Sequence, residues 1–216
     1  RYGRSGPKTV LGTNPSKAYD SADIADRGQV SAIVDRFKEQ NGVSTGRLMT
    51  YLPEDLGYMA RVADAQSRAV HAPNAGPVQK AYRALIDETK AMYRAIGPLE
   101  VIPWIETGMP YTSAAEMMDD IAAGQLKFRM SADMFGEGAD NSGHPLYEAS
   151  GLKAADGAPL TNNDLLRIVH DIYGHGQSGF RDNPRGQYNA YHEHARLLSP
   201  LARQALATET LAQNAW

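Results

Sequence analysis

Histidine is distributed unevenly along this chain, and imidazole is a side chain well suited to binding transition metals near neutral pH. Five of the six histidines fall within a stretch of 51 residues: His144, His170, His175, His192 and His194. The chain has no cysteine, so a bound metal would need imidazole and carboxylate ligands, which suit iron, zinc or manganese. The sequence therefore predicts a divalent-metal site within residues 144–216.

The HDIYGH segment, residues 170–175, places two of these histidines five positions apart. On a regular α-helix, a five-residue step leaves the two side chains about 140° apart, too far for one ion. Gly174 and Gly176 predict that the backbone leaves the regular helix near His175, because glycine tolerates unusual backbone angles. The ring of His175 is then expected to turn back towards His170. His170 itself is predicted to be partly buried, at the border of the apolar side of its helix.

Two imidazoles need a carboxylate to complete a triad that leaves coordination positions open. Glu209 is predicted in this role, because an unpaired carboxylate would be costly to bury in the largely apolar C-terminal helix. Glu193 is the alternative carboxylate, although it is expected to point to a different side of its helix from His194. His194 is expected to face inward, and a core or supporting role is as favoured for it as metal ligation. Asp171 is expected to orient an imidazole N–H, and Gln213 to hydrogen-bond a substrate or ligand.

The pattern His170-Asp171-x-x-Gly174-His175 resembles the His-Asp-x-x-Gly-His iron motif of the tetrahydropterin-dependent aromatic amino acid hydroxylases. In that family, both histidines bind non-heme iron and a glutamate on a later helix completes the triad. The resemblance implies the same role for His170 and His175, and for Glu209 by its place downstream. We locate no counterpart of the family's pterin-contacting loop, so neither pterin nor an aromatic amino acid is carried over. Residues 162–216 also resemble, more loosely, a segment of uncharacterised phage-encoded proteins.

These residues favour a mononuclear non-heme iron oxygenase or hydroxylase that acts on a small molecule with dioxygen. A metal-dependent phosphohydrolase is the second hypothesis, because the adjacent His170 and Asp171 are similar to the His-Asp doublet of such enzymes. His144 and Asp182 would then be further ligands. The third hypothesis is a non-catalytic metal-binding or structural domain, for example within a phage protein.

Composition excludes several other classes of function. The 216 residues carry a net charge of -3 with no run of like charges, which argues against a nucleic-acid backbone as the main partner. No apolar run approaches the length of a membrane span. A cytoplasmic location is expected by default, or a virion if the chain is phage-derived. Hydrophobic residues make up 42% of the chain, enough for a core that needs no metal to fold.

The apolar periodicity predicts a mainly α (α+β) fold: an extended arm at residues 1–20, then a single helical domain at residues 21–216 with a small two- or three-stranded sheet. Helices are predicted over about 21–41, 53–72, 78–96, 113–123, 164–173, 186–198 and 200–216. Strands are predicted over 47–52, 99–105 and 126–130. Residues 131–161 are predicted to be one long irregular stretch, and Asn162 or Asn163 is predicted to cap the next helix.

Overall fold

The computed structural model describes residues 28–44, 55–70, 72–131, 143–179 and 184–212. Within them the chain is mainly helical with two small two-stranded sheets, so the predicted fold class is confirmed. The predicted arm at 1–20, the predicted strand at 47–52, Asp182 and Gln213 all lie outside the described residues. None of the described helices combines the length and the apolar character that a membrane crossing requires.

The first half of the structure is helical: α1 (Gly28–Asn41), α2 (Leu56–Arg68) and α3 (Gly76–Ala95). The apolar residues of α1 and α3 recur every three or four positions and are buried, as their sequences predict. Gly97 adopts a left-handed conformation with a φ of 69° just after α3, where the sequence predicts a stop. Helix α2 is shorter than predicted, since Asp55 caps it by accepting a hydrogen bond from the Tyr58 N–H.

Two small sheets follow α3. Strands β1 (Glu100–Pro103) and β2 (Gln125–Phe128) pair in parallel and are joined through α4 (Ala114–Ala122). A 3-10 helix (Pro145–Tyr147) leads into an antiparallel pair, β3 (Ala149–Lys153) and β4 (Pro159–Thr161). The prediction of one irregular stretch over 131–161 is therefore wrong. Its strands are short and the ladder has an irregular register, so the alternation that marks a strand in a sequence is too brief to see.

The C-terminal part alternates between α- and π-helix. Helix α5 (Asn162–His170) continues into a first π-helix (Asp171–Gly176), and α6 (Pro184–Ala195) follows. Helix α7 (Pro200–Leu206) then continues into a second π-helix (Ala207–Ala212). The cap of α5 is Thr161, which exchanges hydrogen bonds with Asp164 in a capping box. The prediction that Asn162 or Asn163 caps this helix is wrong, because both lie in its first turn and are buried.

The core holds the first π-helix in place from two sides. Helix α3 packs against α5 and α7, and α6 packs along the first π-helix. Tyr173 of this π-helix is fully buried, and its hydroxyl donates a hydrogen bond to the Met92 carbonyl of α3. Its ring meets Phe37 of α1 edge-on, with 5.7 Å between the centroids. The residues on either side of Tyr173 are therefore fixed relative to α1 and α3.

The capping box at the start of α5 gives a test of this packing. The Asp164 side chain accepts hydrogen bonds from the backbone and hydroxyl groups of both Thr161 and Ser131, and it is buried. We expect Thr161→Ala to lower the free energy of unfolding by about 1 kcal/mol. Asp164→Asn should cost more, about 3 kcal/mol, because several buried donors lose a carboxylate acceptor. Urea unfolding measures both.

The matched control is Asp119→Asn on the exposed face of α4, which should change the stability by less than about 0.5 kcal/mol. If Asp164→Asn changed the free energy of unfolding as little as this control does, the buried hydrogen-bond network at the start of α5 would not exist in solution.

Candidate metal centre

The first π-helix sets the relative orientation of His170 and His175. Its hydrogen bonds close over five residues instead of four, so each turn is wider by nearly one residue. A five-residue step then comes close to a full turn, and the two rings lie on the same side. Their centroids are 5.1 Å apart with planes at 79°, so the predicted convergence of the two imidazoles is confirmed.

The predicted departure from the regular α-helix is present, as a π-helix, but the predicted interruption at the glycines is wrong. The chain stays helical through both Gly174 and Gly176. They allow close packing instead: a Cβ atom on Gly174 would lie 2.9 Å from the Ala190 carbonyl oxygen and 3.0 Å from His170 Nδ1. A Cβ atom on Gly176 would lie 3.3 Å from Val30. Glycine at 174 therefore brings α6 and the His170 ring against the π-helix backbone.

His170 is held by two side chains of α6. Its Nε2 lies 3.1 Å from Gln187 Oε1, and its Nδ1 lies 3.2 Å from His194 Nδ1. An amide oxygen only accepts, so His170 Nε2 carries the hydrogen, and a neutral His170 then has a bare lone pair on Nδ1. His194 must therefore donate from its own Nδ1. His194 Nε2 is left buried and without a hydrogen-bond partner among the described residues.

All three rings are withdrawn from solvent. The exposed fractions are 7% for His170, 4% for His175 and 0% for His194, so His170 is more buried than its sequence position predicts. Burial disfavours the charged imidazolium and lowers the pKa of His194 to about 3. Burial, followed by the neighbouring His175 and His194, also lowers the pKa of His170 well below its usual value. Neutral imidazole is the form that binds metal ions.

Glu209 lies on the second π-helix, in a different set of contacts. Its Oε1 accepts a hydrogen bond from the Tyr82 hydroxyl, and His144 Nε2 lies 3.8 Å from the same oxygen. His144 Nδ1 accepts from the Leu146 N–H, which places the hydrogen of a neutral ring on Nε2, facing Glu209. Sequence reasoning missed Tyr82, because α3 is distant in sequence and Tyr82 reads there as an ordinary apolar position.

The alternative carboxylate, Glu193, is buried, and it contacts a different partner from the neighbouring His194. It forms an ion pair with Arg196, with 2.6 Å between Oε2 and Nε. Its charge is therefore already balanced by a cation, and removing it from that partner would leave Arg196 with an unpaired charge. Glu209 is the better candidate for balancing the charge of an ion.

The three predicted ligands are not assembled around one point. In the parts of the chain that the structure describes, no group of three or more His, Asp or Glu side chains is placed so that it could hold a metal ion. The structure brings His170 and His175 together and gives Glu209 the partners Tyr82 and His144. Burial raises the pKa of the Tyr111 phenol, and the nearby Asp120 and Asp171 raise it further. The predicted role of Asp171 beside an imidazole stays a prediction.

Comparisons with known proteins identify no relative. No family model, curated protein or solved structure matches this chain. The resemblance of residues 170–175 to an iron motif therefore stays a prediction that depends on the motif itself. The function must be inferred from the geometry of the buried histidines and of Glu209.

The close packing around Gly174 predicts that one added methyl group at this position lowers the stability of the protein. Gly174→Ala would place a Cβ atom against the Ala190 carbonyl and the His170 ring, and we expect a loss of about 2 kcal/mol in the free energy of unfolding. Gly76→Ala is the matched control, because nothing lies within 4 Å of that Cβ position and alanine favours helix. Equal stability of the two variants in urea unfolding would contradict the packing described for the first π-helix.

The buried neutral histidines also predict how stability depends on pH. Both pKa values are lowered in the folded state, so below pH 6.5 the unfolded chain binds protons that the folded protein does not. Stability is therefore lost as the pH falls below about 6.5. For His170 and His194 together, we expect a loss of about 3 kcal/mol between pH 7.5 and pH 5.5.

Urea unfolding of metal-free protein in chelator measures this loss, and His194→Gln should remove about half of the His170 and His194 contribution. A free energy of unfolding that is unchanged between the two pH values would show that these rings are not buried and neutral.

Proposed function

We propose that the protein is a divalent-metal enzyme of the mononuclear non-heme iron oxygenase type, in which His170, His175 and Glu209 hold the ion. The observation that carries the proposal is the pair of buried imidazoles on one widened helical turn. A metal–nitrogen bond is about 2.0–2.1 Å long, and the ring centroid lies about 1.1 Å behind the nitrogen. Two imidazoles on one ion at 90–110° then have centroids about 4.5–5.3 Å apart. The observed 5.1 Å agrees with that range.

The local backbone supports the same proposal. His175 and Glu209 lie on the two π-helices that the described residues contain. Such segments are rare, and they occur frequently at functional sites because they redirect side chains at a cost in backbone stability. A helical domain without a functional site is not expected to contain two π-helices, each carrying a proposed ligand.

Each supporting residue has a definite task in this proposal. Gln187 holds the Nε2–H of His170, which leaves Nδ1 as the ligand atom, and this is the usual support of a ligating histidine. The Tyr82 hydroxyl holds the Glu209 carboxylate, and burial and the nearby Glu209 raise the pKa of Tyr82, so the phenol stays protonated as a donor. Binding requires Glu209 to move or turn towards the imidazoles, because the three ligands are not assembled.

Iron(II) bound by two imidazoles and one carboxylate keeps coordination positions open for dioxygen and substrate. The residues around it exclude water, because the rings of His170 and His175 are almost entirely buried. The side chain of His144, beside Glu209, is 30% exposed, so we place the entrance for a small substrate on that side. The Tyr82 phenol and the His144 imidazole beside Glu209 favour a polar small molecule.

His175→Ala tests the ligand assignment. We expect this variant to lose its bound metal while keeping its helical circular dichroism, because the ring is a ligand and the core packs on its neighbours. The metal content of protein purified without added metal is measured by elemental analysis. His192→Gln is the matched control, since its ring packs among tyrosines, 4.5 Å from Tyr188 between centroids, and should leave the metal content unchanged. Full occupancy in the His175→Ala variant would reject the assignment.

The identity of the metal separates the competing hypotheses. Iron(II) that forms a nitrosyl adduct with NO supports the oxygenase. Zinc or manganese together with phosphatase turnover would replace it with the hydrolase, for which His144 beside Glu209 offers an upstream histidine. Protein without stoichiometric metal, whose Tm does not change in chelator, would reject both.

A further inference from the structure

A third imidazole belongs to the same buried group. The His194 ring has no exposed surface, and its centroid lies 5.5 Å from that of His170 with the planes tilted by 34°. The sequence leaves it open whether this residue is a core histidine, a support or a ligand. Its hydrogen bonds and distances decide between these roles.

A core or supporting histidine is expected to satisfy both ring nitrogens. His194 Nε2 is buried and has no hydrogen-bond partner among the described residues. Leaving a polar atom in this state costs about 1–3 kcal/mol, which an apolar residue at the same place would avoid. His192 Nε2 is also buried without a partner among the described residues, so the feature that separates His194 from it is the contact of its Nδ1 with Nδ1 of His170.

The unpartnered nitrogen also leaves the ring free to change its tautomer. When His194 donates from Nδ1 to His170, the lone pair of Nε2 is unused. Moving the hydrogen to Nε2 breaks no bond except the one to His170, and it bares the Nδ1 lone pair. Gln187 already fixes His170 with its own Nδ1 bare. Two lone pairs then face one gap and repel each other unless a cation lies between them.

The width of that gap fits an ion. Two nitrogens bound at about 2.0–2.1 Å and separated by 90–110° lie about 2.8–3.4 Å apart. The two Nδ1 atoms are 3.2 Å apart. The same spacing that serves as a hydrogen bond without an ion would serve as two coordination bonds with one. The rings must turn for this, because no three of the described His, Asp and Glu side chains are placed to hold an ion as they stand.

We infer that His194 is a third imidazole ligand, which binds the ion through Nδ1 beside Nδ1 of His170. This inference rests on the proposed function, because it places His194 on the ion held by His170, His175 and Glu209. The site would then take three imidazoles and one carboxylate, which leaves fewer positions open than a two-histidine triad. In the hydroxylase pattern that residues 170–175 resemble, only two histidines bind the iron.

Counting the imidazoles on a bound ion tests the inference directly. Copper(II) serves as the probe, because pulsed electron paramagnetic resonance detects the remote nitrogen of each coordinated imidazole. We expect three in the full chain and in the His192→Gln control, and two in His194→Gln. We also expect His194→Gln to weaken the Kd for copper(II) by more than about 100-fold, which is the upper end of the effect of losing a residue that only supports a ligand.

The outcomes separate this inference from the proposed function. Two imidazoles in the full chain, with an unchanged Kd in His194→Gln, would overturn the role of His194 and leave the His170–His175 pair. No site for copper(II), iron(II) or manganese(II) in the full chain would overturn both. If His194→Gln does not fold, the other histidine variants still decide, because three coordinated imidazoles that persist in each of His71→Gln, His144→Gln and His192→Gln leave His194 as the third.

Discussion

The contact between the Nδ1 atoms of His170 and His194 is the interaction on which the rest of this site depends. Two neutral imidazoles, both buried, meet through their Nδ1 atoms while Gln187 fixes the far side of His170. The hydrogen bond between the two Nδ1 atoms reduces the cost of burying these polar rings. The close approach of α6 to Gly174 brings these groups together, and the π-helix adds His175 from the same side.

This constraint explains why the surrounding structure is built as it is. The Tyr173 hydroxyl ties the π-helix to α3, and the capping box of Thr161 and Asp164 fixes the start of the preceding helix. A π-helix has poorer hydrogen-bond geometry than an α-helix, so it persists only where the packing around it is firm. The closely packed part of the fold is therefore the part that sets the spacing between His170 and His175. Glu209 has its contacts outside this region, with the Tyr82 hydroxyl and His144, and in the proposal it is the ligand that must adjust.

The sequence predicted the parts of this structure that depend on local patterns. The apolar spacing in α1 and α3 and the inward face of His194 follow from helical periodicity, and the stop at Gly97 follows from the glycine before Pro98. The first π-helix does not follow from local sequence patterns. The glycines that suggest a break in the helix also permit close packing, and only the position of α6 decides between the two. Tyr82 and His144 come from elements far apart in the chain, so no spacing in the sequence could join them to Glu209. The strands β3 and β4 were missed because they are too short to show alternation.

A metal ion at the buried imidazoles is the central claim, and anomalous diffraction locates such an ion directly. Crystals grown anaerobically with iron(II) would be measured on both sides of the iron absorption edge. We predict one strong anomalous peak, about 2 Å from a ring nitrogen of His170 and of His175, with the Glu209 carboxylate turned towards it. A well-ordered His170–His194 contact with no peak beside it, or a peak bound only elsewhere on the protein, would contradict the account.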